Sequence, residues 1–200
     1  MGEIMEIKEA KRQIRKEIKK RWENITPSLK RQWDERLLDN LTKLKEIRSA
    51  DVVFIYVSTE NEPDTREIIK LLLSNGKRVC VPKCTGKGIM RSFEIRSLDE
   101  LEEGRYGILE PSGKSCEVLP SNIDTAIIPC AAADRNLNRL GHGGGYYDRF
   151  MEKGGFTKIV ISYEALLTEA VPKEEHDIPS DYLVTEKEIY KRLIKSYKKT

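Results

Sequence analysis

The sequence predicts an α/β fold: a mostly parallel sheet flanked by helices on both faces, forming a single three-layer domain over residues 1–200. Three observations point there. Short apolar runs of strand length, at 52–57, 78–81, 125–128 and 158–161, alternate with stretches whose apolar residues recur at helical spacing. The first of these runs is continuously β-branched and aromatic, the pattern of a strand covered on both faces, as in a parallel sheet. A chain of 200 residues, 38% hydrophobic and 34% charged, is long enough to bury a core and still spare residues for a cleft.

Taken in order, Ile7, Ala10, Ile14 and Ile18 form the apolar stripe of a first helix, whose other face carries Lys8, Lys11, Arg12, Arg15 and Lys19. Thr26 and Pro27, a cap and a first-position proline, open a second helix with the stripe Leu29, Trp33, Leu37, Leu41 and Leu44. After the strand at 52–57, Asp64 is expected to cap a helix reaching about Leu73, with Glu67 completing a capping box and Asn75-Gly76 ending it. With the strand at 78–81 this makes a βαβ unit, and a right-handed crossover sets its two strands parallel. Residues 89–95 read as a strand, 97–103 as a short helix and 125–128 as a buried strand. The stretch 129–145 holds four glycines and almost no apolar periodicity, so it reads as a long irregular loop of the functional or disordered kind. A helix from Tyr146 to about Lys153, strands at 158–161 and 182–184, and a final helix from Glu186 complete the reading.

Composition narrows the function. Lys+Arg 36 against Asp+Glu 33 leaves a net charge of +3, ordinary for a soluble protein. Both ends are basic, 11–21 and 190–199, and offer positive potential to an anionic ligand or simply two solvated helix faces. The basic residues are not interleaved with aromatics as in nucleic-acid readers, and no apolar run reaches membrane-span length, so neither nucleic acid nor membrane is expected as a partner. Met1 leads into charged residues rather than a signal core, which predicts a cytoplasmic protein, and we expect a monomer. Four cysteines without C-x-x-C spacing predict reduced thiols, with Cys80 and Cys130 buried and inert. His142 and His176 are too scattered for a metal cluster.

The informative stretch runs Arg139-Leu140-Gly141-His142-Gly143-Gly144-Gly145-Tyr146-Tyr147-Asp148-Arg149, after a buried strand and into a helix. Glycines let successive backbone amides converge, and a helix start adds positive partial charge, so the arrangement is an anion cradle with phosphate as its natural guest. It is neither a Walker loop nor a dinucleotide fingerprint, because Tyr146 stands where the last glycine of the latter belongs. Glycine richness alone is equally the mark of a loop without a ligand.

The wording N-R-L-G-x-G-G-G-Y-Y-D-R, following a strand and I-x-P, resembles the signature of the 5-formyltetrahydrofolate cyclo-ligase family. Lys11-Arg12-Gln13-Ile14-Arg15 is similar to the family's N-terminal basic motif, and 58–65 to its acidic turn after the first strand. Residues 107–111 resemble its central motif, and His176-Asp177 with Asp181 its C-terminal acidic motif. The resemblance implies an ATP-dependent conversion of 5-formyltetrahydrofolate to 5,10-methenyltetrahydrofolate, with release of ADP and phosphate. The γ-phosphoryl group would pass to the formyl oxygen, N10 would attack the activated carbon, and phosphate would leave. No enzyme nucleophile is required.

Carried over by residue, the resemblance implies that Lys11, Arg12, Gln13, Ile14 and Arg15 meet ATP together with Arg139, Leu140, Gly141, His142, Gly143, Gly144, Gly145, Tyr146 and Tyr147. Lys11, Arg15 and Arg139 would act on the transferring group, and Asp148 and Asp177 would hold Mg²⁺. Val57 and Glu62, with His142, Gly143, Gly144, Gly145 and Tyr146, would hold the reduced folate, with or without a polyglutamate tail. Bland rivals stand beside these readings: Asp148 as a helix-start residue, Asp177 as a turn residue, and Tyr146 and Tyr147 as packing. Glu62 is left with no visible structural task if Asp64 is the cap. The chain departs from the family pattern at His142, where a residue such as Arg or Tyr is usual, at Ala133 for a usual Phe, and at Leu137 for a usual Gly. These departures bear on substrate choice. The alternatives are a non-catalytic nucleotide- or RNA-binding module and an ATP-dependent enzyme acting on another formyl or carboxyl substrate.

Overall fold

In the computed structural model, which describes residues 2–104, 107–174 and 177–192, the apolar runs become the centre of an eight-stranded sheet. Helices α1 (Gly2–Trp22), α2 (Pro27–Lys43) and α3 (Lys45–Ser49) lead into strand β1 (Val52–Ile55). Helix α4 (Arg66–Ser74) carries the chain to β2 (Arg78–Gly86), and β3 (Ile89–Ile95) returns beside it. A small hairpin, β4 (Leu101–Glu103) with β5 (Leu109–Pro111), precedes β6 (Glu117–Val118) and β7 (Thr125–Ile128). Then come β8 (Ala132–Asp134), β9 (Arg139–Leu140), helix α5 (Tyr146–Met151), β10 (Thr157–Ile161), β11 (Leu167–Thr168), β12 (Tyr182–Val184) and β13 (Ile189–Lys191).

The large sheet runs β13-β12-β10-β7-β1-β2-β3-β6. Pairing is parallel from β12 through β2 and antiparallel at the flanks. Val53 sits between Val79 on one side and Thr125 on the other, which fixes the register at the centre. Because successive residues of a strand face opposite ways, β1 feeds two cores. Val53 and Ile55 join Ile18, Leu37, Leu41, Ile68 and Leu72 under the first four helices. Val52 and Phe54 join Phe150 and Met151 of α5, with the Phe54 and Phe150 rings stacked 4.7 Å apart. Helices therefore cover both faces, as expected, although the second cover is thin. Among the described residues no helix is long and apolar enough to cross a membrane.

Thr26 caps α2 as predicted, its hydroxyl accepting from the Leu29 amide with Pro27 in the first turn. The expected capping box on α4 does not form. Thr65 holds the cap position without a side-chain cap, and Asp64 instead accepts from the Arg66 amide two residues on, at 3.0 Å. The reason is tertiary: the Asp64 amide that Glu67 would have taken donates to Asp34 at 2.9 Å, and the Thr65 hydroxyl accepts from the Ser58 amide at 2.9 Å. Glu67 turns to Lys70.

Residues 97–103 are a single 3-10 turn followed by β4, not a helix. The stretch 129–145 is not irregular throughout, since β8 and β9 pair antiparallel and β11 joins β8 in parallel. Strands this short show no periodicity to read. The final helix expected from Glu186 is, over the described residues, β13 paired antiparallel with β12, because the Thr185 hydroxyl accepts from the Lys187 and Glu188 amides and turns the chain back. The rest of that expectation, 193–200, lies outside the described residues, as does His176.

Candidate active site

Strand order reverses between β1 and β7. From β1 the chain proceeds outward through β2, β3 and β6, and from β7 it proceeds the other way through β10, β12 and β13. Loops leaving the carboxyl ends of β1 and β7 must therefore diverge, and the gap between them is where open α/β sheets take their ligands. Here the loop after β7 carries the glycine run, α1 lies across it, and a cavity of about 810 Å³ opens between them.

The α1 wall follows from helical spacing. Lys8, Lys11 and Arg15 fall on one face and line the cavity. Lys11 is buried, with Nζ 2.7 Å from Glu174 and 2.6 Å from Asp177. Burial favours loss of its proton, but the two carboxylates outweigh that, and its pKa rises. The Arg15 Nε donates to the Gly141 carbonyl at 2.8 Å, and burial draws its pKa down against the field of Asp177. Arg12, Gln13 and Ile14 do not reach the cavity. At about 100° per residue they rotate off that face: Arg12 and Gln13 bond Glu9 on the outside, and Ile14 packs into the core.

The opposite wall is the glycine loop. Arg139 projects beneath it with its side chain only 3% exposed, donating to the Pro129 carbonyl at 3.2 Å and pairing with Asp148. Its Nε has no hydrogen-bond partner among the described residues. Gly143 (φ 100°) and Gly145 (φ 64°) adopt left-handed conformations that side chains strain to reach. Leu140, Gly141, His142 and Gly144 line the cavity with them, and so do Tyr146 and Tyr147. Tyr147 meets Phe54 edge-on, 6.4 Å between centroids, and its burial drives the hydroxyl pKa far up, so it stays neutral.

Asp148 and Asp177 line the same cavity, yet each is held by a cation, Arg139 and Lys11 respectively. Among the described residues no group of three or more His, Cys, Asp or Glu is arranged to hold a metal ion. Val57 and Glu62 stand behind the wall rather than on it. Val57 is buried in the core, and Glu62 accepts from the Thr59 amide at 2.8 Å and the Thr59 hydroxyl at 2.9 Å. Glu62 thus has a structural task that its sequence neighbourhood concealed, closing the turn at 59–62. Its link to the cavity is His142, whose Nε2 lies 3.6 Å from the carboxylate and whose side chain is 64% exposed. Burial pushes the Glu62 pKa up, but the nearby His142 imidazole and the hydrogen bonds from Thr59 pull it below the ordinary value.

Sequence reading missed Lys8, Cys84, Met90, Glu110 and Glu174 as cavity residues. Lys8 had a signal, the helical row it shares with Lys11 and Arg15. Cys84 and Met90 face each other across the local β2–β3 hairpin, but their approach to the glycine loop, some fifty residues further along the chain, is a tertiary contact that local pattern does not report. The thiols of Cys80 and Cys130 are each pushed up to about 12 by burial, so both stay protonated near neutrality.

A sheet that reverses under a glycine loop, with cations and carboxylates paired around one cavity, defines a class: an α/β protein built to take an anionic small molecule. The chain matches the model of the 5-formyltetrahydrofolate cyclo-ligase family over residues 7–186, and it belongs to that family. It is 30% identical over 175 residues to the 5-formyltetrahydrofolate cyclo-ligase of Haemophilus influenzae, covering 84% of this chain and 94% of that one. With the Escherichia coli cyclo-ligase it shares 30% identity over 179 residues, 86% of this chain and 98% of the relative. The NMR structure of Aquifex aeolicus 5,10-methenyltetrahydrofolate synthetase superposes with a TM-score of 0.83 at 28% identity, covering 94% of this chain and 98% of that one.

Proposed function

We propose that this family member closes 5-formyltetrahydrofolate to 5,10-methenyltetrahydrofolate at the expense of ATP, in the cavity between α1 and the glycine loop. The observation that carries the reading is the convergence of Lys11, Arg15, Arg139 and the Gly141–Gly145 backbone on that one cavity. The formyl oxygen is a very poor leaving group until phosphorylated. Transfer of the γ-phosphoryl group to it releases ADP; N10 then attacks the formyl carbon and gives up its proton to solvent, the carbon–oxygen bond breaks, and inorganic phosphate departs with the oxygen. Lys11, Arg15 and Arg139 would neutralise the charge on the transferring group, and the loop amides would fix it in line. A helix end carries at most about half an elementary charge. With α5 only six residues long, the full charges of the side chains dominate.

The donor set suits Mg²⁺ in one respect. A carboxylate offers several lone pairs, so Asp148 and Asp177 could each keep a cation and still give one oxygen to an ion that completes its shell with phosphate and water. Bound there, Mg²⁺ would offset negative charge on the phosphates. Tyr146, Tyr147 and the Gly143–Gly145 backbone would flank the pterin, and Glu62 would reach it once His142 turns aside, with Val57 backing that wall from the core. We place the reaction in the cytoplasm, in keeping with four free cysteines.

The test is direct: mix purified protein with Mg-ATP and 5-formyltetrahydrofolate and follow the near-ultraviolet absorbance of the methenyl product. ATP-dependent growth of that band is expected. ATP hydrolysis without it, or nucleotide binding without turnover, overturns the proposal.

A further inference from the structure

We infer that Arg149 is a positioning residue that braces the glycine loop from outside the cavity, an inference resting on the proposed role of that loop in holding phosphate. Arg149 is exposed and is not part of the cavity lining. Its Nε donates to the Gly88 carbonyl at 2.8 Å and its Nη2 to the Gly144 carbonyl at 2.6 Å, while the guanidinium sits 5.7 Å from the Tyr146 ring centroid. One side chain thus ties the loop to the turn between β2 and β3, the hairpin whose Cys84 and Met90 form another part of the cavity wall.

The fit at both ends depends on glycine. A Cβ on Gly88 would lie 2.7 Å from Arg149 Nη2, and one on Gly145 would lie 2.7 Å from Nη1. Both residues also hold positive φ, 73° and 64°. The bond to Gly144 has a directional consequence. In a planar trans peptide the carbonyl and the following N–H point opposite ways, so drawing the Gly144 oxygen outward turns the Gly145 amide away from Arg149. Charge-assisted bonds of this kind are about twice as strong as neutral ones.

Arg15 performs the matching task on the Gly141 carbonyl, but from inside the cavity. When Arg15 turns to an incoming phosphate, its hold on the loop is given up. Arg149 stands outside the cavity lining, so its hold would remain through the reaction cycle.

The experiment compares wild type with Arg149→Ala, Arg149→Lys and Gly88→Ala. Arg149→Ala should raise the KM for ATP roughly tenfold while moving the KM for 5-formyltetrahydrofolate less than about twofold, with the unfolding midpoint nearly unchanged. Arg149→Lys should recover part of that loss. Gly88→Ala attacks the brace from its far end and should reproduce the ATP effect, with the double variant no worse than either single one. In ligand-free protein, the ¹⁵N order parameters of Gly143, Gly144 and Gly145 should fall from about 0.85 toward 0.6 in Arg149→Ala. An unchanged ATP KM together with unchanged order parameters overturns the inference. If wild type itself shows no turnover, the proposed reaction fails, and the order parameters still decide the brace on their own.

Discussion

The two walls of the cavity are held in place by different means. Lys8, Lys11 and Arg15 ride on a 21-residue helix, so the backbone beneath them is set by α1 itself and each contributes a charge to a frame that exists without it. The glycine loop has no such frame: its course follows bonds from Arg139 to Pro129 and Asp148, from Arg15 to Gly141 and from Arg149 to Gly144. On the helix wall a side chain can be lost without moving the backbone beneath it. On the loop wall, losing one removes shape as well.

The largest difference should come from Arg139→Ala, which leaves Asp148 without its buried cation and the Pro129 carbonyl without a donor. Breaking a buried pair by removing one member costs about 3 kcal/mol or more, and turnover should fall by more than about a hundredfold as the loop shifts. Urea denaturation and steady-state rates would show both losses together. Lys11→Gln should separate them: turnover down roughly a hundredfold, stability down by only about 1–2 kcal/mol. The smaller cost follows because a glutamine at 11 keeps an amide donor for Glu174 and Asp177, whereas Arg139→Ala leaves no donor and strips the Pro129 carbonyl as well. A stability loss equal to that of Arg139→Ala would erase the contrast.

Glu62 allows a pH test of the region behind the loop. Its folded pKa lies below the ordinary 4.5, so its contribution to stability is present above that value and is lost as pH falls through the depressed one. Urea midpoints measured from pH 6 downward should therefore fall less steeply in Glu62→Gln than in wild type across that acid window, and parallel curves would remove Glu62 from the network. Arg12→Ala should have the smallest effect. With its side chain 73% exposed and paired, among the described residues, with Glu9 alone, stability should stay within about 0.5 kcal/mol and the ATP KM should not move.

The same contrast governs what could be read from the sequence. The α1 stripe, the Thr26 cap and the central strands were legible because each depends on neighbours a few residues away. The glycine loop was legible as composition but not as shape; the capping box failed because Asp34, far back in the chain, claims the Asp64 amide, and the task of Glu62 was hidden in the shape of the turn that brings Thr59 to it. Leu137 shows the limit most clearly. It sits at φ 69°, a left-handed position that costs a side chain roughly 1–2 kcal/mol. Its burial in the apolar cluster that also contains Ala133, worth about 1.5–3 kcal/mol, offsets the strain. Two departures that look independent in the sequence thus belong to one packed region.

The reversal of the sheet between β1 and β7 also governs how the molecule assembles. The hairpin of β2 and β3 needs only neighbours, whereas the β1–β7 seam, pinned by the Val52 amide on Asp124, joins positions 72 residues apart. Closing that span is slow compared with local turns. Until it happens, Val-Val-Phe-Ile and Thr-Ala-Ile-Ile are bare edges that can recruit strands from other copies, so self-association during refolding should begin at this seam.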